Sequence, residues 1–342
     1  MAPRRRRVAV VTSEPLGEMM AGPAIRAWNL AVALAAEQEV RLVTTETCDL
    51  ADDRVAPATA GADGLHDLER WCDVLVFQGG LLRVHPFLSE TPKVVVADMY
   101  DPFHLENFEG TRGQPDRQRH ATIAHLTSVI NDQLLRADFF LCASERQRDF
   151  WLGHLAALGR LNPATYDHDP TFRSLIDVVP FGLPDAPPAA PAQPVLRGVV
   201  PGIEAGDQVI LSAGGVYDWF DPLTLVRAVD QLRGRLPRAR LYFLGLKHPN
   251  PHIPTMGMAG ALRALAGELG LTGHHVFFND GWVPYDQRAG FLLEADVGVS
   301  THLDHIEAAF SFRTRVLDYF WAGLPVVLTQ GDTLAGLVEA EG

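Results

Sequence analysis

The chain has only three cysteines in 342 residues, Cys48, Cys72 and Cys142. They lie far apart without metal-ligand spacing, each beside or within an apolar segment where a small thiol packs well. This points to a reducing compartment and away from a zinc site. No apolar run approaches the roughly 20 residues that span a bilayer, and no signal-peptide-type stretch follows the N-terminal arginines. The expected location is cytoplasmic. Basic residues are outnumbered, 29 Lys and Arg against 42 Asp and Glu for a net charge of −13, which argues against nucleic acid as a partner. The one basic run, Arg4–Arg7, reads as a solvated tail or as a weak peripheral contact with an anionic inner membrane face, and the tail is favoured. No G-x-G-x-x-G follows a strand and no G-x-x-x-x-G-K-[ST] occurs, so dinucleotide and P-loop readings lose most of their weight. Asp167-His-Asp169 has carboxylate spacing suited to a metal, but it sits in a polar loop before Pro170 and reads as a surface turn.

What the chain does have is alternation. Short β-branched runs at Val8–Thr12, Val40–Thr45, Val74–Phe77, Lys93–Ala97, Phe139–Cys142 and Asp177–Phe181 are separated by helical patterns near Pro23–Ala36, Leu81–Ser89, Asp116–Arg136 and Glu145–Leu158. Continuously apolar strands interleaved with helices indicate a parallel sheet covered on both faces. After a proline-rich stretch the pattern resumes, with strands at Val209–Ala213, Arg240–Leu244, His275–Phe278, Asp296–Ser300 and Val326–Leu328 and helices at Pro222–Leu236, Gly260–Leu269, Tyr285–Glu294 and Phe312–Ala322. The expected class is α/β. Two Rossmann-like, doubly wound domains are expected to face a cleft: residues 1–183, a Pro-rich linker over 184–201, and residues 202–342. Because the chain stops in the first turns of a helix after Leu328, the second domain is expected to be an incomplete version of such a unit.

Ligands in paired units of this kind bind outside the carboxyl ends of the strands, so residues just past each strand carry the candidates. The sharpest segment is Phe310–Val327. Ser311 is a good N-cap type, Arg313 and Arg315 add charge, and the amides of a helix start attract anions. At 100° per residue Ser311, Arg315, Asp318 and Ala322 share one face and Val316, Leu317 and Phe320 the opposite one. The plain alternative is an amphipathic surface helix with an Arg315–Asp318 ion pair. Beyond other strands lie Gly215, Trp219 and Asp221, then Lys247, and then Val283 beside Trp282. In the first half, Gly22 before Pro23 opens a helix toward an anion. Asp98, Asp101 and His104 form a polar cluster able to hydrogen-bond the hydroxyl groups of a ligand, His104 being of a pKa class suited to proton exchange. An Asp-capped turn with a structural histidine is the bland reading there.

Phe312, Asp318 and Gly323-Leu-Pro-Val-Val327 are similar to the hallmark of the retaining nucleotide-sugar glycosyltransferases of family 4, a Glu-x7-Glu segment followed by Ala-x-Gly-Leu-Pro-Val-Val. The resemblance implies the GT-B fold and transfer of a sugar from a nucleotide-diphosphate donor to a hydroxyl of a glycan or lipid-linked acceptor. Retention at the anomeric carbon, independence from metal and no resident cofactor are implied with it, as are residues 1–183 as the acceptor-side domain and 202–342 as the nucleotide-sugar domain. Cell-surface glycan or glycolipid synthesis is the setting it suggests. It assigns Asp318 to the ribose hydroxyls, with a shorter side chain than the family's glutamate. The first acidic position falls on Phe310, and Glu307, three residues earlier, is expected to substitute in orienting the sugar. Val283 is expected to meet the nucleobase through its backbone, and the Gly17–Trp28 segment to act as the family's glycine loop. The family's basic pair after the first strand of the second half is missing from Gly214–Asp221, so Arg313, Arg315 and Lys247 are expected to neutralise the diphosphate. A nucleotide-sugar epimerase or phosphorylase, and a non-catalytic sugar-nucleotide-binding protein, are the other readings.

Overall fold

The computed structural model describes residues 4–341. The chain folds into two units. One runs up to Phe181 and includes Phe310–Phe312, and the other takes Gly182–Ala309 and the chain from Arg313 onward.

In the first unit β1 (Arg7–Thr12), β2 (Glu39–Thr44), β3 (Ala58–Thr59), β4 (Val74–Gln78), β5 (Val94–Asp98), β6 (Phe139–Cys142) and β7 (Ile176–Val178) form a seven-stranded sheet in the order β3-β2-β1-β4-β5-β6-β7. Every pairing is parallel. Ala9, Val11, Phe77, Val95, Ala97 and Phe140 are each fully buried, as expected of strands covered on both faces. The strand order reverses between β1 and β4, which makes their carboxyl ends the topological switch of this unit.

In the second unit β8 (Gln208–Gly215), β9 (Ala239–Gly245), β10 (Val276–Phe278), β11 (Val297–Ser300) and β12 (Val326–Leu328) form a five-stranded parallel sheet ordered β10-β9-β8-β11-β12. Its switch lies between β8 and β11. Tyr319 ties the centre of this sheet together from the helix Thr314–Trp321: its hydroxyl accepts from the Ala213 amide at 2.9 Å and lies 3.1 Å from the Leu211 carbonyl and 2.8 Å from that of Val299. Gly298 makes room for it, since a Cβ there would stand 2.6 Å from the tyrosine ring.

Two local readings of the sequence are corrected here. The Phe312–Ala322 helix begins at Thr314, with Arg313 at the cap position and no side-chain cap, so Ser311 is not an N-cap. Ser311 and Phe312 instead belong to the first unit, where Phe312 stacks on Phe181 with centroids 5.5 Å apart, Phe310 packs on Phe150 at 4.6 Å, and Gln147 donates to the Phe310 carbonyl at 2.8 Å. The proline-rich stretch also ends in packed structure. The amides of Val195, Leu196 and Arg197 donate to the Glu294 carboxylate at 2.7–3.0 Å, and Leu196 is fully buried.

Candidate functional site

The carboxyl end of β8 is built from Gly214 and Gly215. Gly214 has φ +73°, a backbone region open to glycine, and the Arg315 guanidinium lies 3.6 Å from where a Cβ would be. Arg315 reaches this turn from the first turn of the helix Thr314–Trp321, donates to the Gly215 carbonyl at 2.6 Å, and lies 4.3 Å over the Phe220 ring. Burial lowers its pKa. A cation therefore stands at the strand end whose own sequence supplies none.

The loop that follows is closed upon itself. Tyr217 and Trp219 stack with centroids 4.9 Å apart and an interplanar angle of 12°. Asp221 accepts from the Thr224 amide at 3.0 Å and caps the helix Pro222–Leu232, and its own amide and carbonyl bond the Thr301 backbone oxygen and hydroxyl at 3.1 and 2.8 Å. The Asp221 carboxylate serves as a helix cap through Oδ1, and the Trp219 ring lies against Tyr217. His305 holds the loop from the far side, its Nε2 lying 3.1 Å from the Trp219 carbonyl.

Glu307 lies in a short helix, Ile306–Phe310, and it is buried. Its carboxylate accepts from Arg313 at 2.6 Å, with side-chain exposures of 3% and 5%. Each group is committed to the other. Arg313 does not stand beside Arg315 as a second free phosphate cation, and Glu307 is not displayed toward a sugar. The Arg313 guanidinium also lies 4.6 Å over Phe220, so Phe220 carries both arginines.

Asp318 makes no pair with Arg315. It accepts from Arg288 Nε at 3.1 Å, and burial raises its pKa against the opposing charge of Arg288. The predicted apolar face of this helix is also revised, because the fully buried positions are Val316 and Tyr319, while Leu317 and Phe320 are half-buried. Lys247 is exposed just past β9. Near it, a small cavity is lined by Gly215, Tyr217, Leu246, His248, Met256 and Trp282. His248 packs on Trp282 at 5.6 Å, and burial lowers its pKa to about 4. Val283 is half-buried against the sheet.

In the first unit the cluster past β5 is mostly structural. Asp98 is buried and takes a bidentate bond from Arg26 at 2.6 and 2.8 Å plus one from Gln78 at 3.0 Å, so three of its roughly four lone-pair sites are used within the protein. Arg26 lies one turn into the helix Gly22–Ala35 that Gly22 opens, and its guanidinium also lies over Tyr100 and Phe181 at 5.1 and 4.7 Å. Asp101 is half-buried. His104 is 8% exposed and packs on Phe150 and Trp151, and burial, with His154 nearby, lowers its pKa to about 4. A ring so biased toward its neutral form is a poor proton exchanger near pH 7.

Arg26, Arg288 and His302 carry no local signal in the sequence. Arg26 and Arg288 sit in helical segments, and their distant carboxylate partners mark them out. His302, just beyond β11, lies with Nδ1 3.1 Å from the Leu303 carbonyl, and its partnerless Nε2 is 3.8 Å from Asp332. Among the described residues, no group of three or more His, Cys, Asp or Glu side chains is placed to hold a metal ion, and no helix is long and apolar enough to cross a membrane.

No protein-family model matches the sequence, and no curated protein matches it. Solved structures do match the fold. Sucrose-phosphate synthase from Thermosynechococcus elongatus superposes with a TM-score of 0.60 at 15% identity, covering 98% of this chain and 84% of its own. WaaG, a glycosyltransferase involved in lipopolysaccharide biosynthesis, gives 0.59 at 15% identity over 97% and 84%. An alpha-glucosyltransferase in complex with UDP-glucose and DNA containing an abasic site gives 0.55 at 10% identity over 97% and 82%. That complex leaves the expectation of no nucleic acid, drawn from net charge, without support from the fold. The two parallel-sheet units, with orders 3-2-1-4-5-6-7 and 3-2-1-4-5 when strands are counted within each unit, are those of the GT-B fold.

Proposed function

We propose that the protein is a glycosyltransferase of the retaining, family-4 type, which moves a sugar from a nucleotide-diphosphate donor to an acceptor hydroxyl without a metal. The observation that carries this reading is Arg315, a guanidinium delivered by a neighbouring helix to the glycine turn at the carboxyl end of β8. As the bond to the sugar breaks, negative charge grows on the leaving diphosphate. A fixed guanidinium in a partly dehydrated setting stabilises that charge more than it stabilises the ground state. Asp318, one helical turn further on, is the carboxylate for the ribose hydroxyls. The departing phosphate is the base for the acceptor proton, in keeping with a Glu307 carboxylate that is already paired with Arg313.

The test is turnover of UDP-, GDP- and dTDP-hexoses with a panel of glycan and lipid-linked acceptors, followed as acceptor-dependent nucleoside diphosphate release. Arg315→Met should lower kcat/KM by roughly 100-fold, as for loss of one charged donor at a developing anion, while the melting temperature stays within a few degrees. The reading fails if no donor turns over with any acceptor, or if Arg315→Met is as active as the wild type. Nucleotide release without any acceptor would instead favour the epimerase reading.

A further inference from the structure

Arg288 is held on three sides. Its Nη1 donates to the Tyr285 carbonyl at 2.7 Å, and its guanidinium lies 3.6 Å from the Tyr285 ring centroid and 4.6 Å from that of Trp321. Trp321 is itself anchored, donating its indole N–H to the Ala186 carbonyl at 2.7 Å. From this clamp Arg288 Nε donates to one oxygen of Asp318, Oδ1, at 3.1 Å. Among the described residues the other oxygen, Oδ2, accepts no hydrogen bond, and the Asp318 side chain is 33% exposed against 12% for Arg288. One oxygen is fixed from the protein side while the other is open to a ligand.

We infer that Arg288 is a positioning residue that presents the free oxygen of Asp318 to the ribose hydroxyls of the donor, and that it thereby sets a preference for ribonucleotide over 2′-deoxyribonucleotide donors. The inference rests on the donor site proposed above. An aspartate is one methylene shorter than the glutamate expected at this position and has fewer rotamers to spend in reaching a diol. A planar guanidinium locked between two aromatic faces holds it in one orientation at little further entropic cost. A carboxylate so held discriminates strongly against an analogue that lacks the hydroxyl, because its lone pair is then left without a partner.

The experiment is calorimetric titration of the full chain with UDP and 2′-deoxy-UDP. The wild type should bind UDP about 10- to 100-fold more tightly, the range for a hydrogen bond to a charged group. Arg288→Met, whose apolar stem still fills the slot between Tyr285 and Trp321, should weaken UDP and leave 2′-deoxy-UDP unchanged, bringing the ratio to within about threefold. Arg288→Lys, which keeps the charge, should recover part of the ratio. A residue that merely supports the fold would weaken both ligands equally. A wild-type ratio in both Arg288 variants overturns the inference, as does equal weakening of both ligands. If Asp318→Asn abolishes the ratio while the Arg288 variants keep it, the donor site stands and Arg288 has no part in it. If Asp318→Asn binds UDP like the wild type, or if the wild type binds neither ligand, the donor site falls and this inference with it.

Discussion

Replacing Glu307 by alanine separates two accounts of that residue. If Glu307 orients a sugar, the variant loses activity and keeps its stability. The structure implies the reverse order of effects. The pair with Arg313 spans 2.6 Å with both side chains at most 5% exposed. At an effective dielectric of about 20, charges roughly 3 Å apart attract by on the order of 5 kcal/mol. Removing the carboxylate leaves a buried guanidinium with its Nε already lacking a partner, and breaking such a pair costs about 3–5 kcal/mol. For a unit of 150–250 residues this corresponds to a fall in melting temperature of roughly 6–20 °C. Urea unfolding with tryptophan fluorescence measures it directly, as a lower midpoint at constant slope. The double variant Glu307→Leu, Arg313→Met removes both charges and should recover most of the loss, because two apolar side chains of similar volume carry no orphaned charge. A single variant within about 1 kcal/mol of wild type, the range of exposed pairs, would refute the reasoning, and so would a double variant less stable than the single.

Further outcomes follow from other residues. Tyr319→Phe should lose about 1–3 kcal/mol because the buried Ala213 amide loses its acceptor, and Gly298→Ala should lose at least as much through the clash at 2.6 Å; both are read from thermal melts. Asp221→Ala should cost about 1 kcal/mol as a lost helix cap while leaving KM for the donor unchanged, and a raised KM would restore Asp221 as a ligand. The unfolded chain protonates His104 near pH 6.5 and the folded chain only near pH 4, so the unfolded state binds more protons in that window and stability is lost as pH falls through it. The loss should total on the order of 3 kcal/mol, and His104→Phe should flatten that part of the stability–pH curve.

The longer strands were legible because a strand buried on both faces must be apolar at every position, and that run is visible without knowing its neighbours. The two-residue β3 was not, since Ala58 and Thr59 are exposed and leave no apolar run. Gly215 and Arg315 were readable as candidates from their place at a strand end and a helix start. Their meeting at 2.6 Å was not readable, because a hundred residues separate them. Ser311 shows the limit most plainly. Its residue type and the following helical pattern favour a cap, yet Phe310 and Phe312 pack with Phe150 and Phe181 and draw the segment out of the helix.

Local patterning thus determined the alternation of strands and helices, two parallel sheets and the strand ends at which polar residues gather, because backbone geometry and burial act over a few residues at a time. Tertiary structure alone decided which charges are spent and which are offered. Asp98 is satisfied by Arg26, Glu307 by Arg313, and Asp318 is held by Arg288 with one oxygen left open. Each pairing joins elements whose approach is set by packing, and the electrostatics of a buried group depend on what surrounds it in space rather than on what precedes it in the chain.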